Sequence, residues 1–413
     1  MRKRLIALSV FLVLLPSIHA ARASHNDSTA AHNGSAMTGV APVAEMHFEM
    51  AGTAHVFVKV IINGTPGWFI LDTANHGMSV DTEFAKRAGL KARGGYVASG
   101  GGPEMVAAAV ATDVSLGLPG INLDHERVVA IPLKPMERLL GREFDGILGS
   151  DLFDKFVVEV DYVARRIRLY DSKSFQYNRS GEILPTRLDE NSFPYLNVKL
   201  AFPGREEFEA ELLIDSAADF AASVEKSFAG EHGIPAPEMK TLLEKGTSVG
   251  GSYEILTGRA LTLGVGRWTF KDPLIDLAQA TTGGMATKDR AGLIGGDLLR
   301  RFTVTFDSNR HRIILEPNVN FDEPFEADMS GLRLRAEGDR FQTLRIRRIL
   351  PDSPAAEAGL QADDIIMSVD GGPSSTLSAG GLRNMFKRPG THRLTVLRGD
   401  VRIDVSLKLK RLI

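Results

Sequence analysis

The sequence predicts a mostly β protein, in which two similar β-rich lobes form a pseudo-twofold pair and a smaller α+β domain follows them. Three observations carry that expectation. Short apolar runs punctuated by glycine begin at His47, two blocks of sequence recur at a nearly constant offset, and the recurrence stops after Pro317. A chain of 413 residues has room for two to four domains at roughly 100–200 residues each.

The first strands are read from alternation. HVFVKVIIN, then GTPG, then WFILDT (55–73) give an apolar run, a turn placed on Pro66-Gly67 and a second apolar run, which reads as a hairpin. The repeat comes next. MSVDTEFAKRAGL (78–90) matches ASVEKSFAGEHGI (222–234) at an offset of 144 residues, pairing Ser79 with Ser223 and Phe84 with Phe228. GILGSDLFDKFVVEVDYVARRI (146–167) matches GLIGGDLLRRFTVTFDSNRHRI (292–313) at an offset of 146, pairing Gly149 with Gly295 and Asp161 with Asp307. Two separate blocks this close to one offset mark a duplication, with lobes at 44–172 and 173–319.

Each copy repeats the same order of elements. A hairpin ends in two apolar residues and an acid, Ile70-Leu71-Asp72 or Leu213-Ile214-Asp215. A short helix follows and stops near Gly89 or Gly233, as a C′ glycine would stop it. A strand pair then surrounds a glycine cluster, Gly100-Gly101-Gly102 or Gly250-Gly251. An apolar-apolar-Gly turn finally enters a helix whose expected cap is Asp151 or Asp297. Two like lobes in one chain suit an isologous pairing, so a monomer is expected.

Composition removes several function classes. The chain has no cysteine, which excludes disulfides, thiolate metal sites and cysteine nucleophiles. A formal net charge of −2 offers no basic footprint for nucleic acid. The ten histidines show no ligand spacing, so neither a metal nor a cofactor is expected.

The N-terminus has the three parts of an export signal. Arg2, Lys3 and Arg4 precede an apolar run at 5–18, and Ala21-Arg22-Ala23 offers a cleavage site. The run is short of the roughly 20 apolar residues that span a bilayer, and Pro16 interrupts it. The expectation is a signal peptide at 1–23, a flexible linker at 24–43, and a mature protein that is periplasmic or secreted without stable membrane insertion.

Why should the same acid recur in each lobe? An acid directly after a buried strand is costly unless it has a task. A twofold axis would bring Asp72 and Asp215 face to face, where close carboxylates share one proton and their pKa values split. The ionised oxygen can then take a proton from water while the protonated one polarises a peptide carbonyl. The next residues, Thr73 and Ser216, carry hydroxyls able to bond across the axis, and Ala74 and Ala217 are small enough for two backbones to approach.

With these residues in view, the sequence resembles the pepsin/retropepsin superfamily of aspartic proteases, in its bacterial exported branch. The family pattern is Asp-Thr/Ser-Gly followed by apolar-apolar-Gly. Here it stands as Asp72-Thr73-Ala74 with Ile147-Leu148-Gly149, and Asp215-Ser216-Ala217 with Leu293-Ile294-Gly295. The resemblance covers both lobes and implies paired β-barrels, a catalytic pair Asp72 and Asp215, and an interlobe hydroxyl grip from Thr73 and Ser216. The departure is alanine for glycine in both copies, which adds a methyl beside each acid. Acids that merely cap turns, or an inactive duplicate, remain the plain alternatives.

Cleft residues are expected from the same resemblance. A mobile hairpin in YVASGGGPEM (96–105), with Gly101 among the glycines of its tip and Tyr96 or Ser99 near it, would cover the acids, and TSVGGSYEIL (247–256), with Gly250 and Tyr253, would be its counterpart. Asp219 stands four residues after Asp215, where retropepsins hold substrate backbone; His76 is its lobe-one equivalent.

Beyond an acidic connector, ILPDSPAAEAGLQADDIIMSVDG (349–371) starts a helix at Ser353-Pro354 and stops it at Gly359. It resembles the PDZ domain of exported bacterial proteases, with Asp363 where that pattern has glycine, and places a domain at 325–413. The resemblance puts a carboxylate-binding loop on Gly331, Leu332, Arg333 and Leu334, and a second helix through Gly381-Leu382-Arg383-Asn384-Met385. Peptide termini added to the sheet edge are the implied ligands. Arg345, Arg347 and Arg348 read as a solvated strand face.

The leading reading is an endopeptidase acting on peptide or protein substrates, with the last domain recruiting them. The alternative is a catalytically weak or inactive peptide-binding scaffold, which the two alanines favour and the retained acids and hydroxyls oppose.

Overall fold

The computed structural model describes residues 4–10, 40–52, 54–338 and 341–413. The expected cleavage site and most of the 24–43 linker lie outside them. Strands make up 49% of the chain and helices 13%, in agreement with the mostly β expectation. Among the described residues the strands form sheets of fourteen, ten and six, and no helix is long and apolar enough to cross a membrane.

In the first repeat, His55–Ile62 pairs antiparallel with Thr65–Leu71. The turn falls on Asn63-Gly64 rather than on Pro66-Gly67. Both turn residues have positive φ, 46° and 81°, the geometry a two-residue hairpin needs to follow the strand twist, and Pro66 sits opposite Ile61 inside the ladder. Thr65–Leu71 then lies parallel to Gly146–Leu148, which runs antiparallel to Met78–Asp81. The second repeat reproduces this: Phe208–Ile214 is parallel to Gly292–Ile294, which is antiparallel to Ala222–Val224.

Helices are short. α1 (Thr82–Arg87) is capped by Asp81, whose carboxylate accepts from Glu83 and Phe84 N–H, and Gly89 follows its end at φ 65°. α2 spans Lys134–Leu140. α3 (Ser150–Lys155) and, in the second repeat, α5 (Gly296–Leu299) are capped by Gly149 and Gly295, not by Asp151 and Asp297, which fall inside the first turn. The cap positions are crossed by other backbone: a Cβ at Gly149 would sit 2.1 Å from the Asn75 oxygen, and one at Gly295 2.2 Å from the Phe220 oxygen. No side-chain cap fits there. α4 is Lys226–Glu231.

The repeats are joined by backbone. Phe156–Asp161 pairs antiparallel with Phe302–Asp307, Val158 opposite Phe306 and Val160 opposite Val304. Those four residues are buried in one apolar cluster with Phe69, Leu71 and Ile214, each worth about 1.5–3 kcal/mol on burial. One further strand, Arg4–Val10, lies parallel to Arg93–Gly100 at the end of this sheet.

The last sheet runs in the order Leu332–Glu337, Thr343–Ile349, Ile365–Val369, Thr391–Arg398, Val401–Lys408, leaving Leu332–Glu337 at its edge. α6 (Pro354–Glu357) is capped by Ser353 and α7 (Ala379–Met385) by Ser378. The connector before it is packed: Phe325 lies 3.6 Å from the Arg301 guanidinium, which also donates to the Phe321 oxygen at 3.2 Å.

Candidate functional site

Each acid stands one residue beyond the strand that carries it. Asp72 N–H donates to the Leu148 oxygen at 2.9 Å and Asp215 N–H to the Ile294 oxygen at 2.8 Å, so the parallel strand pair sets both backbones. The inner oxygen of each acid accepts from the residue two further on: Ala74 N–H at 2.8 Å for Asp72, and Ala217 N–H at 3.0 Å for Asp215. Alanine therefore keeps the N–H that this arrangement needs. The outer oxygens, Oδ2 of both acids, are buried and bonded to no protein group.

The two loops are locked together by hydroxyls. Thr73 Oγ1 donates to the Ile214 oxygen at 2.6 Å and accepts from Ser216 N–H at 3.0 Å. Ser216 Oγ donates to the Leu71 oxygen at 3.0 Å and accepts from Thr73 N–H at 3.1 Å. All four groups are buried, and net contributions of about 0.5–1.5 kcal/mol per bond make the lock a stabilising element as well as a positioning one.

Electrostatics follow from burial. Both acids are fully buried, and burial raises the Asp72 carboxyl far above the ordinary range. Burial first, and then the charge on Asp72, push Asp215 well up. Ionising one acid thus opposes ionising the other, the condition for a shared proton.

The two glycine-bearing hairpin tips meet each other. Gly102 N–H donates to the Val249 oxygen and Glu104 N–H to the Gly250 oxygen, both at 2.9 Å, and Gly101 N–H donates to Ser248 Oγ at 3.1 Å. A Cβ on Gly102 would lie 2.2 Å from the Gly250 carbonyl carbon, so the glycine cluster lets the tips touch.

Residues 58–152 match the family model of aspartyl proteases, and residues 345–398 match that of PDZ domains. The chain carries an aspartyl protease domain and a PDZ domain. The curated protein "Serine protease HTRA1" from Xenopus laevis is 36% identical over 67 residues, 16% of this chain and 14% of that protein. The match thus spans about one seventh of the relative's length.

The aspartyl protease match contains Asp72, Thr73 and Gly149; Asp215 and Ser216 come from the second repeat, outside it, and meet the first pair through the lock. Tyr96 lies on the Arg93–Gly100 strand and packs, half-buried, against the apolar cluster that includes Ile70, Ala98, Ala217 and Val249. Asp219 and His76 do not share one surrounding. Asp219 lines a cavity of about 120 Å³ between the second repeat and the PDZ domain, beside Arg383 and Lys387 of the α7 segment. His76 Nδ1 lies 3.4 Å from the Asn191 oxygen.

In the PDZ domain, Gly331 has φ 77°. One N–H group of the expected carboxylate loop is already used: Leu332 N–H donates to Ser330 Oγ at 3.0 Å, and Ser330 N–H, just before the loop, donates to Asp328 at 2.7 Å. Leu332 is buried and Leu334 half-buried. Arg348 is not simply solvated, since its guanidinium is 3.3 Å from Glu244 of the second repeat.

Sequence reasoning missed Arg290. Its guanidinium pairs with buried Glu225 at 2.6 Å, and its charge opposes the rise of Asp215. Aligned on the repeat, Arg290 replaces Phe144 and Glu225 replaces Asp81. That paired difference between the copies was the available signal. The Tyr253 hydroxyl, buried and bonded to no protein group, belongs to the same region.

Proposed function

We propose that the protein is an exported aspartic endopeptidase, with Asp72 and Asp215 as a shared-proton pair, whose PDZ domain recruits substrate or partner peptides. One observation carries the reading: two buried acids with unbonded outer oxygens, held by reciprocal Thr73 and Ser216 bonds. The ionised member takes a proton from water, whose oxygen attacks the scissile carbonyl carbon, while the protonated member donates its proton to the carbonyl oxygen. The tetrahedral diol then collapses: the C–N bond breaks, the amine leaves with a proton from the pair, and the carboxylate product forms. The hairpin tips close over the substrate and exclude water.

Export rests on the Arg2-Lys3-Arg4 start and the apolar run after it. The test is a peptide-library digest by the purified mature chain across pH, beside D72N and D215N. Hydrolysis is expected from the parent alone. Equal cleavage by either variant overturns the pair, and peptide binding without hydrolysis at any pH leaves the scaffold reading in its place.

A further inference from the structure

Two residues that the duplication does not share connect the hairpin tips to the acids. Arg290 stands two residues before the strand Gly292–Ile294, whose Ile294 oxygen accepts Asp215 N–H at 2.8 Å. Arg290 is 8% exposed. Its Nε and Nη2 donate to Glu225 Oε1 at 2.9 and 2.6 Å, and Nη2 donates again to the Gly284 oxygen at 2.7 Å. Glu225 N–H in turn donates to the Ala291 oxygen at 2.8 Å, so side chain and backbone brace the same corner. One residue beyond the held carbonyl, Met285 N–H donates to the Gly101 oxygen at 3.3 Å. Gly283 has φ 82°, and a Cβ there would lie 2.0 Å from the Gly102 oxygen. The turn Gly284–Ala286 is therefore where the first hairpin tip seats. Met285 is also buried in one apolar cluster with Ala74, whose N–H holds Asp72.

The first repeat builds the same corner without a cation. There Asp81 Oδ2 accepts Leu133 and Lys134 N–H directly, at 2.9 and 3.2 Å, and Phe144 takes the place of Arg290. A guanidinium stands only on the Asp215 side. Inside the second repeat its charge reaches Glu225, Tyr195, Tyr253 and Asp215, and it favours the ionised form of Asp215. On its outer side Lys288, Asp289 and Glu231 are exposed and screened by water, and Glu211 is paired with Arg187.

We propose that Arg290 is a positioning residue for the carboxylate pair: braced by Glu225, its guanidinium fork seats the turn Gly284–Ala286 against the first hairpin tip, while its charge supports the ionised member of the pair. The inference rests on reading Asp72 and Asp215 as a pair that shares one proton. Fork and charge can be separated. Lysine keeps the charge, but as a point donor on a flexible stem it does not hold two fixed acceptors as a fork does. Methionine loses both.

The experiment uses the full chain with ¹³C-labelled aspartate, the signals of the pair being those lost in D72N and D215N. In R290M the first ionisation of the pair is expected to rise by about half a pH unit or more, and in R290K to stay near that of the parent. Hydrogen exchange at the Met285 amide is expected to quicken about tenfold or more in both variants. R290M/E225Q, which leaves no buried charge unpaired, replaces R290M should that variant fail to fold, with the same expected rise. An unshifted titration in the methionine variant overturns the charge role, as does a lysine variant shifted as far as the methionine one. Unchanged exchange at Met285 in both variants overturns the seating of the tip. Absence of hydrolysis by the parent chain would count against the protease reading, and the titration and exchange would still decide this inference.

Discussion

Thr73 and Ser216 each give the other a backbone N–H and a hydroxyl oxygen, at 3.0 and 3.1 Å, across the join between the two repeats. Removing either hydroxyl strips two bonds at once and leaves buried groups unpaired. T73V and S216A are each expected to cost about 1–3 kcal/mol of stability and at least tenfold in kcat/KM. T73S and S216T, which keep the hydroxyl, should recover most of both. The double variant should cost less than the sum, because the two residues form one unit; urea unfolding and peptide hydrolysis read the two effects.

The raised acids dictate how stability varies with pH. Asp276 is fully buried, and burial raises its pKa from 3.8 to about 7, in the same direction as Asp72 and Asp215. A carboxyl whose folded pKa exceeds its unfolded value contributes stability that is present below the unfolded pKa and lost as pH rises through the folded one. The melting temperature should therefore fall between about pH 4 and 8. D276N, whose amide oxygen can still accept from Thr257, should flatten that fall. A parallel decline in variant and parent would contradict the assignment.

The same shifts set the activity profile. Hydrolysis needs one proton on the pair, so the rate should rise as the first carboxyl ionises and fall as the second does. Both are displaced upward, so the bell should lie nearer neutrality than two ordinary carboxyls would place it. A maximum below pH 3 in a pH–rate profile would exclude the buried pair described above.

Gly102 tests the lid. G102A puts a methyl against the Gly250 carbonyl and must hold the tips apart. The expected result is at least a tenfold loss of kcat/KM with little change in melting temperature, since the tips are the periphery of the fold. Unaltered kinetics would mean that tip contact is not part of turnover.

The acids of one site come from one chain. Mixing D72N with D215N is expected to restore no hydrolysis, because the lock and the Phe156–Asp161/Phe302–Asp307 ladder bind the two repeats within each molecule. Restored activity on mixing would mean exchange of repeats between chains.

Much of this was legible in the sequence because duplication lets one copy be checked against the other. Asp72 with Asp215, Thr73 with Ser216, and the glycine clusters at 100–102 and 250–251 all stand out by recurrence. Ser353 and Gly359 were legible because caps and C′ glycines act locally. The Asn63-Gly64 turn competed with Pro66-Gly67, and only the strand register decides between two plausible turn dipeptides. Gly149 and Gly295 could not be read as caps, because the backbone crossing them belongs to Asn75 and Phe220, far along the chain. The ion-paired Glu244 and Arg333 are 89 residues apart, and nothing near either marks the other; the resemblance marked Arg333 only as part of a carboxylate loop, and Glu244 is in sequence an ordinary surface charge.

The ladder between Phe156–Asp161 and Phe302–Asp307 has a mechanical consequence. A shear or hinge that separated the two repeats would have to break a run of buried backbone hydrogen bonds and expose Val158, Val160, Val304 and Phe306 together, a cost comparable to unfolding the sheet. The floor beneath the acids is thus rigid on the timescale of turnover, and the spacing between Asp72 and Asp215 is fixed before any substrate arrives. Under the proposed function, motion would fall to the hairpin tips, whose few glycine-borne bonds would open and reseal in microseconds to milliseconds, and the entry rate for a peptide would be a property of Gly101, Gly102 and Gly250 rather than of the acids.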